Sequence, residues 1–462
     1  MVKRTLQNFR RTVLTTIAFA VLASSTQAAN VITIGDSLTA EYDVIPAIPG
    51  FPDLPTDYAK VTVSGWESMS WVEIAGRLRG SYFNFGRWKS LSDPWLPPRL
   101  SGYEYNWAIP GVDSKQYRDF VTSSILENPV YFAGRQPLED QLANTAQRVV
   151  IWLGGNNFRA NYGRFYDGGS SQSFIDGLVG DLESVIDFVR DQNSHAQIVV
   201  GNLPDLGATP SKKAAHPDPV RRARVTAVTD AANSRLAQLA ARKGVVIADT
   251  YSETAALVRN EPLYFGGVQI VNDKNADNNP GYAFARDGLH PNTALQIINL
   301  RNIIRAFNRG YGAGIPNITD SEALLLLGID PDQPFYDWLA RIGITNKSFQ
   351  ADPEHDGLSQ LVEYAFGLDP RVVDANKLRV KVDGLSVRFL PTKARERYVT
   401  VRIQYSTDGV VWNPASRMLA NTDGSYTALI PPGSETAHLR MRVVTIPPYG
   451  SGARTSSYVI LR

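Results

Sequence analysis

Val31-Ile32-Thr33-Ile34-Gly35-Asp36-Ser37-Leu38, near the amino end of the chain, joins an apolar run to a polar turn. The first four residues are mostly apolar and β-branched, which favours a buried strand. Gly35-Asp36-Ser37 has the composition of a tight turn. A turn in this position presents the serine hydroxyl, as nucleophilic catalysis requires. Turns of this composition are common, so the interpretation depends on the segments that follow.

Strand and helix patterns alternate from about residue 31 to residue 308. Further apolar runs that read as buried parallel strands cover residues 149–153, 198–200 and 245–248. Amphipathic helical patterns cover residues 173–192 and 218–243, and a third helix begins after Asn292, a predicted cap. This alternation predicts a doubly wound α/β sheet, in which ligands bind beyond the carboxyl ends of the strands.

Residues 46–107 are rich in proline, glycine and aromatic residues and lack a clear period. We interpret them as long insertions near the mouth of the site. Aromatic side chains in an open cleft can stack on sugar rings or line an acyl pocket, although packing in the core is the commoner role. The residues concerned are Tyr82, Phe83, Phe85, Trp88, Trp95, Tyr103, Tyr105 and Trp107.

A serine nucleophile needs a base, and His290 is the best placed of the five histidines. Asp287 precedes it by three residues, a spacing that lets the carboxylate accept a hydrogen bond from Nδ1–H on a short turn. Nε2 is then free to face Ser37. The alternative is an ordinary helix-entry turn, capped by Pro291 and Asn292.

Acyl transfer also needs hydrogen-bond donors where the oxyanion develops. Gly111 offers an amide on a turn that a substrate can approach closely. Asn156 follows the strand at residues 149–153 and offers a side-chain amide, and the backbone N–H of Ser37 is a third donor. Considered singly, Gly111 and Asn156 are also compatible with plain turn and loop roles.

Ser37, Gly111, Asn156 and the Asp287/His290 pair, in this order beside strand ends, resemble the SGNH hydrolase family, also called GDSL esterases and lipases. The resemblance covers roughly residues 30–308. It implies a flavodoxin-like three-layer α/β/α sandwich and ester hydrolysis through a serine acyl-enzyme, without a metal or other catalytic cofactor. It places the nucleophile on Ser37, the Asp and His on Asp287 and His290, and oxyanion donors on Gly111 and Asn156.

One position departs from the family pattern. The third motif usually ends in Asp, whereas Asn157 stands there in this chain. The oxyanion donor Asn156 is kept, but a supporting carboxylate is lost. Residues 202–207 and 249–251 also resemble segments of the lipase-like branch.

The first 28 residues have the pattern of a secretory signal peptide. Lys3, Arg4, Arg10 and Arg11 precede the uncharged stretch Thr12–Ala23 and a small-residue cleavage site at Ala28. The uncharged stretch is too short to span a bilayer as a helix, and the alternative is a buried amino-terminal helix. We therefore expect a secreted protein, extracellular or periplasmic, and not an integral membrane protein.

Composition narrows the classes of function further. Removing the four cations of the leader leaves 43 Lys and Arg against 45 Asp and Glu, a net charge of −2. That balance gives no reason to expect a nucleic-acid partner. The chain has no cysteine, which excludes zinc–thiolate sites and cysteine nucleophiles. Its 462 residues predict two or three domains.

Residues 352–363 have the layout of an EF-hand-like calcium loop, with a glycine at the sixth position. Residues 356–370 also resemble dockerin-like or thrombospondin-type-3-like loops, and the alternative is a helix start capped by acidic residues. A structural Ca²⁺, remote from catalysis, is the metal that this loop predicts. The expected ligands are Asp352, Glu354, Asp356, Leu358, Gln360 and Glu363.

From about Lys377 the sequence alternates with period two and predicts a small antiparallel β-sandwich. Tyr405, Trp412 and Tyr426 can form a sugar-binding platform or pack in its core. The domain boundaries we expect are 1–28 for the signal peptide, 29–312 for the hydrolase domain, 313–373 for a helical linker with the calcium loop, and 374–462 for an accessory module.

These observations favour a secreted serine esterase acting on short-acyl or acetylated carbohydrate esters. A lipase or phospholipase acting on longer acyl chains is an alternative with the same catalytic residues. A catalytically inactive carbohydrate-binding or surface protein is an alternative of another class. A separation of more than about 5 Å between Ser37 and His290 would favour that last one, since hydrogen-bond reach is about 3 Å.

Overall fold

A computed structural model describes residues 28–42, 62–63, 66–90, 101–274, 279–434, 437–445 and 456–461. The predicted signal peptide and Trp95 lie outside the described residues. No helix in the described ranges has the length and apolar character of a membrane span.

A five-stranded parallel sheet forms the centre of the first domain. Its spatial order is β2-β1-β3-β4-β5, which is the flavodoxin-like order and confirms the predicted fold class. The strands are β1 (Ala29–Gly35), β2 (Phe83–Asn84), β3 (Arg148–Trp152), β4 (Gln197–Gly201) and β5 (Val246–Ala248). Because β1 lies inside the sheet, its carboxyl end places Ser37 at the edge where ligands bind.

Helices cover both faces of this sheet. One core contains side chains of α2 to α5 and α7, and a second core contains those of α1 and α9. The helices of this domain are α1 (Trp71–Arg79), α2 (Ser114–Thr122), α3 (Pro129–Asn144), α4 (Gly155–Tyr166), α5 (Gln172–Gln192), α6 (Pro210–Ala215), α7 (Pro219–Lys243), α8 (Tyr251–Val258) and α9 (Thr293–Tyr311).

The helix ends follow from the sequence. Asp218 accepts the N–H groups of Val220 and Arg221 at the start of α7. Gly244 ends the same helix in the left-handed conformation, which glycine adopts without strain. Asn292 caps α9 as predicted, by accepting the N–H of Thr293 at 2.9 Å.

The interpretation of residues 46–107 as insertions was wrong for residues 71–84. Helix α1 packs on α9, and β2 pairs with β1 as the edge strand of the central sheet. Both elements are short, at nine and two residues, so neither repeats its pattern often enough to be recognised in the sequence. The aromatic residues nearby also pack mostly inward: Phe83, Phe85 and Trp107 are buried, and Trp88 is 41% exposed.

Smaller sheets flank the central one. Two antiparallel strand pairs join Thr62–Val63 to Trp66–Glu67 and Trp88–Lys89 to Gly102–Tyr103. A three-stranded sheet follows α8 and leads to the segment that carries Asp287 and His290. Its strands are Leu263–Phe265, Val268–Lys274 and Tyr282–Phe284.

Three helices connect the α/β domain to the carboxyl-terminal domain: α10 (Asp320–Leu326), α11 (Gln333–Arg341) and α12 (Gln360–Phe366). They divide between two cores. Ala323 and Leu324 of α10 pack in the core beside α9, whereas Phe335 of α11 and Leu361 of α12 pack with the carboxyl-terminal strands.

The carboxyl-terminal domain has two four-stranded antiparallel sheets, as predicted. Val399, Val401 and Ile403 point into a core that they share with Val387 and Ala428 of the other sheet. The strands of one sheet are Val380–Asp383, Ser386–Phe389, Tyr426–Leu429 and Arg417–Ala420, and those of the other are Asn413–Pro414, Val399–Ser406, His438–Thr445 and Ser456–Leu461.

The three aromatic residues of the suggested sugar platform do not form one flat surface. Tyr405 and Tyr426 pack against the core of the sandwich, and Tyr426 stacks on Phe389. Trp412 lies under the guanidinium of Arg440, at 4.0 Å from the ring centre. Packing explains their presence without a ligand.

Candidate active site

The turn after β1 holds Ser37 at the carboxyl end of the central sheet. The Asp36 carboxylate accepts the N–H of Leu38 at 2.9 Å, and the carbonyl of Asp36 accepts the N–H groups of Thr39 and Ala40. Gly35 is required here, because a Cβ atom would lie 2.7 Å from the side chain of Thr39. These bonds fix the turn, and Ser37 itself is 5% exposed.

Ser37, His290 and Asp287 form one hydrogen-bonded line. His290 Nε2 lies 2.8 Å from Ser37 Oγ, and His290 Nδ1 is in short contact with Asp287 Oδ2. The other oxygen of Asp287 accepts the N–H groups of Leu289 and His290, at 2.9 and 3.0 Å. A carboxylate on Nδ1 selects the tautomer that leaves Nε2 free to take the serine proton.

The charge on Asp287 is favoured in spite of its burial. Burial raises the pKa of this carboxyl, but the hydrogen bond and charge of His290 and the two backbone N–H groups together lower the pKa below its ordinary value. Asp287 is thereby an anion over the whole range in which an imidazole titrates.

Hydrogen bonds connect helix α9 to the segment that carries Ser37. The Tyr42 hydroxyl donates to the carbonyl of Pro291. Gln296 of α9 donates through Nε2 to the Tyr42 oxygen at 2.7 Å and to the carbonyl of Leu38 at 3.2 Å. Tyr42 and Gln296 are fully buried, at 1% and 0% exposure. These bonds fix the distance between the base and the nucleophile.

The predicted oxyanion donors lie on a turn and on the start of α4, and a hydrogen bond joins these two segments. Gly111 has φ of +83°, a conformation that few residues other than glycine adopt. Asn156, in the first turn of α4, donates through Nδ2 to the carbonyl of Val112 at 2.9 Å. An amide carries two N–H donors, so one remains for the cleft that Asn156 lines together with Ser37 and His290.

Asn157, the departure from the family pattern, has an evident structural role. Its Oδ1 accepts the N–H of Ser114 at 3.0 Å, and its Nδ2 donates to the Ser114 hydroxyl at 2.9 Å. Ser114 donates in turn to Asp181 at 2.7 Å, and Asp181 pairs with Arg118. The amide of Asn157 thus holds the start of α2 beside the Gly111 turn, where the family usually has a carboxylate.

Sequence reasoning missed two groups in this cleft. Burial raises the pKa of Asp36 to about 6, while the N–H of Leu38 and the charge of His290 oppose that shift. Arg159 lines the cleft one helical turn after Asn156. The spacing of three residues on a helix was the available signal for Arg159, because residues at i and i+3 share a face.

An apolar pocket adjoins the catalytic cleft. Leu38, Leu206 and Leu289 line both the cleft and the pocket. The empty space is about 490 Å³ in the pocket and about 310 Å³ in the cleft. The pocket continues beneath α9 between Trp152, Thr250, Phe284, Leu295 and Ile298.

The predicted calcium loop lies away from this cleft, beside the sandwich. Asp352, Glu354 and Asp356 place one carboxylate oxygen each within 4.8 Å of one another. Burial raises the pKa of Glu363, and the charge of the neighbouring Glu354 raises it further, to about 9. Gln360 makes other hydrogen bonds. In the orientation that satisfies its surroundings, its side-chain amide donates to the carbonyls of Asn346 and Ser348.

We expect Asn156→Ala to lower kcat for ester hydrolysis by about 10²- to 10³-fold with little change in KM, the effect of removing one oxyanion donor. Steady-state kinetics on a chromogenic ester would measure this. Asn161→Ala, one turn further along α4, is the matched control, because Asn161 donates only to the backbone of its own helix, at Asn157. Equal activity of both variants would show that Asn156 is not a donor.

Comparison with solved structures finds chains of low similarity. An extracellular lipase from Streptomyces rimosus is 18% identical, over 50% of this chain and 83% of that chain, with a TM-score of 0.31. A family 3 carbohydrate esterase from Talaromyces cellulolyticus is 16% identical over 61% and 97%, with a TM-score of 0.32. Phospholipase A1 from Streptomyces albidoflavus is 16% identical over 60% and 99%, with a TM-score of 0.33.

A search of curated proteins found no match. The model of the GDSL-like lipase/acylhydrolase family matches residues 33–296. That match covers more than half of the 462 residues, and it includes Ser37, Gly111, Asn156, Asp287 and His290. The chain therefore belongs to the GDSL-like lipase/acylhydrolase family.

Proposed function

We propose that this protein is a secreted serine esterase that hydrolyses carboxylic esters through an acyl-enzyme. The observation that carries the proposal is the line from Ser37 Oγ to His290 Nε2, at 2.8 Å, and from His290 Nδ1 to Asp287. At that distance a proton can pass directly from the hydroxyl to the imidazole. The separation of Ser37 and His290 therefore gives no support to the catalytically inactive alternative.

The chemistry follows from the positions of these groups. Ser37 Oγ attacks the ester carbonyl as His290 Nε2 takes its proton, and Asp287 stabilises the imidazolium that results. Asn156 Nδ2 and the N–H groups of Ser37 and Gly111 are the donors we assign to the oxyanion. His290 then gives the proton to the leaving alcohol. Water attacks the acyl-enzyme by the same route, and free Ser37 is restored.

For the substrate we propose a short-acyl ester, such as an acetylated carbohydrate. The cleft around Ser37 has about 310 Å³ of empty space, part of it open to solvent. Its lining includes the side chains of three leucines, Leu38, Leu206 and Leu289, and the exposed Arg159. A small acyl group can lie against the leucines, and the polar alcohol can lie near the guanidinium.

The apolar pocket favours a second candidate, an esterase of lipase type for longer acyl chains. A chain that passes Leu38, Leu206 and Leu289 would enter the apolar pocket, which is lined mostly by carbon atoms. Each methylene group transferred from water to such a space contributes about 0.8 kcal/mol. The length of the preferred acyl chain therefore distinguishes the two candidates.

Hydrolysis of p-nitrophenyl esters from acetate to palmitate tests the proposal. A maximum of kcat/KM at acetate or butyrate supports the short-acyl esterase, and a maximum at octanoate or longer supports the lipase-type candidate. Lack of hydrolysis at every length, in a folded protein, would contradict both.

We expect Ile298→Phe, which adds volume within the apolar pocket but not in the catalytic cleft, to separate the two candidates further. If long chains occupy the pocket, kcat/KM for octanoate should fall at least about 10-fold, since losing two buried methylenes costs about 1.6 kcal/mol, while acetate hydrolysis is unchanged. Ile298→Val is the control. Equal losses on acetate and octanoate would show that the pocket does not hold the acyl chain.

A further inference from the structure

A cluster of five carboxylates lies where α12 meets the start of the sandwich. Asp352, Glu354 and Asp356 belong to the loop before α12 and approach one another within 4.8 Å. Glu363 of α12 and Asp374, which follows the helix by eight residues, complete the cluster. The charges of Glu354, Asp356 and Asp374 all act on the carboxyl of Glu363.

Five oxygens of this cluster are buried and accept no hydrogen bond from a donor group of the residues that the structure describes. They are both carboxylate oxygens of Glu354, both of Glu363, and Oδ1 of Asp374. Glu363 is 0% exposed and Asp374 is 5% exposed. Lys377 approaches the other oxygen of Asp374 at 3.5 Å, but its side chain is 66% exposed. Buried carboxylates that lack a compensating cation or donor are strongly destabilising.

The backbone around the cluster is held in place by the remaining oxygens. Asp352 accepts the N–H groups of Asp356 and Gly357, at 3.1 and 3.0 Å. Asp356 accepts the N–H of Leu358 at 3.0 Å and those of Asp374 and Ala375 at 2.9 and 2.8 Å. The last two bonds connect the loop to the segment that enters the sandwich, and they bring Asp374 to the cluster.

We propose that this cluster binds one Ca²⁺, and that Asp374, from outside the loop, is a ligand together with Glu354 and Glu363. Ca²⁺ takes six to eight oxygen ligands at about 2.3–2.6 Å in flexible geometry, and the unpartnered oxygens supply most of that number. Asp352 and Asp356 add charge or further oxygens. Gln360, expected from the loop pattern, is left out because its amide is bonded to the backbone at Asn346 and Ser348.

The ion would act as a cross-link between two elements. Glu363 lies on α12, whose Leu361 and Val362 are buried in the sandwich core. Asp374 occupies the N-cap position of the short helix Ala375–Lys377, which leads into the first strand of the sandwich. Binding one ion to both would fix the entry of the sandwich relative to α12. The site lies apart from Ser37, so the proposal is independent of the ester chemistry.

Calorimetric titration and thermal unfolding of the full chain, after EDTA treatment, test this proposal. We expect one Ca²⁺ per chain and a rise in the unfolding temperature of the sandwich of about 5 °C or more in millimolar CaCl₂. Glu363→Gln and Asp374→Asn should each weaken calcium binding at least about 10-fold. Asp383→Asn, an exposed carboxylate on the first strand of the sandwich, should bind calcium like the wild type.

The unfolding temperature of the Glu363→Gln variant gives a second and sharper test. Because the amide that replaces the carboxyl group has no negative charge to bury beside the neighbouring carboxylates, this variant should unfold at a higher temperature than the wild type in EDTA and gain little from calcium. Failure of the wild-type chain to bind calcium, or binding by Asp374→Asn with wild-type affinity, would overturn the proposal. Equal stabilisation by Mg²⁺ would overturn the assignment to calcium.

Discussion

Replacing Ser37 with alanine should lower kcat for ester hydrolysis by about 10⁶-fold, to near the rate that binding and the oxyanion donors alone supply. The reason is that the acyl-enzyme cannot form without Oγ, which lies 2.8 Å from His290 Nε2. Active-site titration with a p-nitrophenyl ester would measure the effect, because the wild type releases a burst of p-nitrophenol and the variant does not.

The Ser37→Ala variant should remain folded, since the turn depends on the backbone and on the Asp36 carboxylate. Ser184→Ala is the matched control: Ser184 lies on the exposed face of α5 and donates only to the carbonyl of Gly180. Wild-type activity in Ser37→Ala, with an unchanged circular dichroism spectrum, would refute the nucleophile. Such a result would indicate that another group catalyses the hydrolysis.

Asp287→Asn should lower kcat by about 10⁴-fold while the protein stays folded. An amide can donate to Nδ1 and so favours the wrong tautomer of His290, in which Nε2 carries the proton and cannot accept one from Ser37. Steady-state kinetics over pH 6–9 would measure the loss. Asp140→Asn, an exposed carboxylate on α3, is the control, and similar kinetics in both variants would refute the role of Asp287.

Asp287 also gives the protein a component of stability that depends on pH. Its pKa in the folded chain is below the ordinary value of 3.8, so the folded state releases this proton more readily than the unfolded state does. The stabilisation is complete above the unfolded pKa and is lost as the pH falls through the folded pKa. Acidification below about pH 4 should therefore destabilise the wild type more than Asp287→Asn.

The sequence was sufficient for residues whose chemistry and spacing are local. Asp287 and His290 are three residues apart on one turn, and Ser37 follows directly on a strand whose place inside a parallel sheet brings it to the ligand-binding edge. The main strands and the caps of α7 and α9 are equally local, because apolar runs and capping side chains act within a few residues.

Other features depend on contacts that no local pattern contains. Strand β2 has two residues and exists only because β1 supplies its partner. Tyr42 and Gln296 meet across more than 250 residues. Asp374 is held beside the acidic loop because its backbone N–H donates to the Asp356 carboxylate, so its position follows from the tertiary fold. Asn157 is a further example. It accepts a hydrogen bond from Ser114, and the motif that contains Asn157 does not predict this partner.

The division of α10, α11 and α12 between two cores has a consequence for where the chain can be cut. Arg79 of α1 is bonded by Glu322 of α10, at 2.8 and 3.0 Å, and by the carbonyls of Pro316 and Asn317. A fragment ending at Gly312, where α9 stops, would deprive that guanidinium of its counter-ion and of both carbonyls. A catalytic fragment therefore has to include α10 and Ile329, which packs on the same core, and a cut belongs between Ile329 and Phe335.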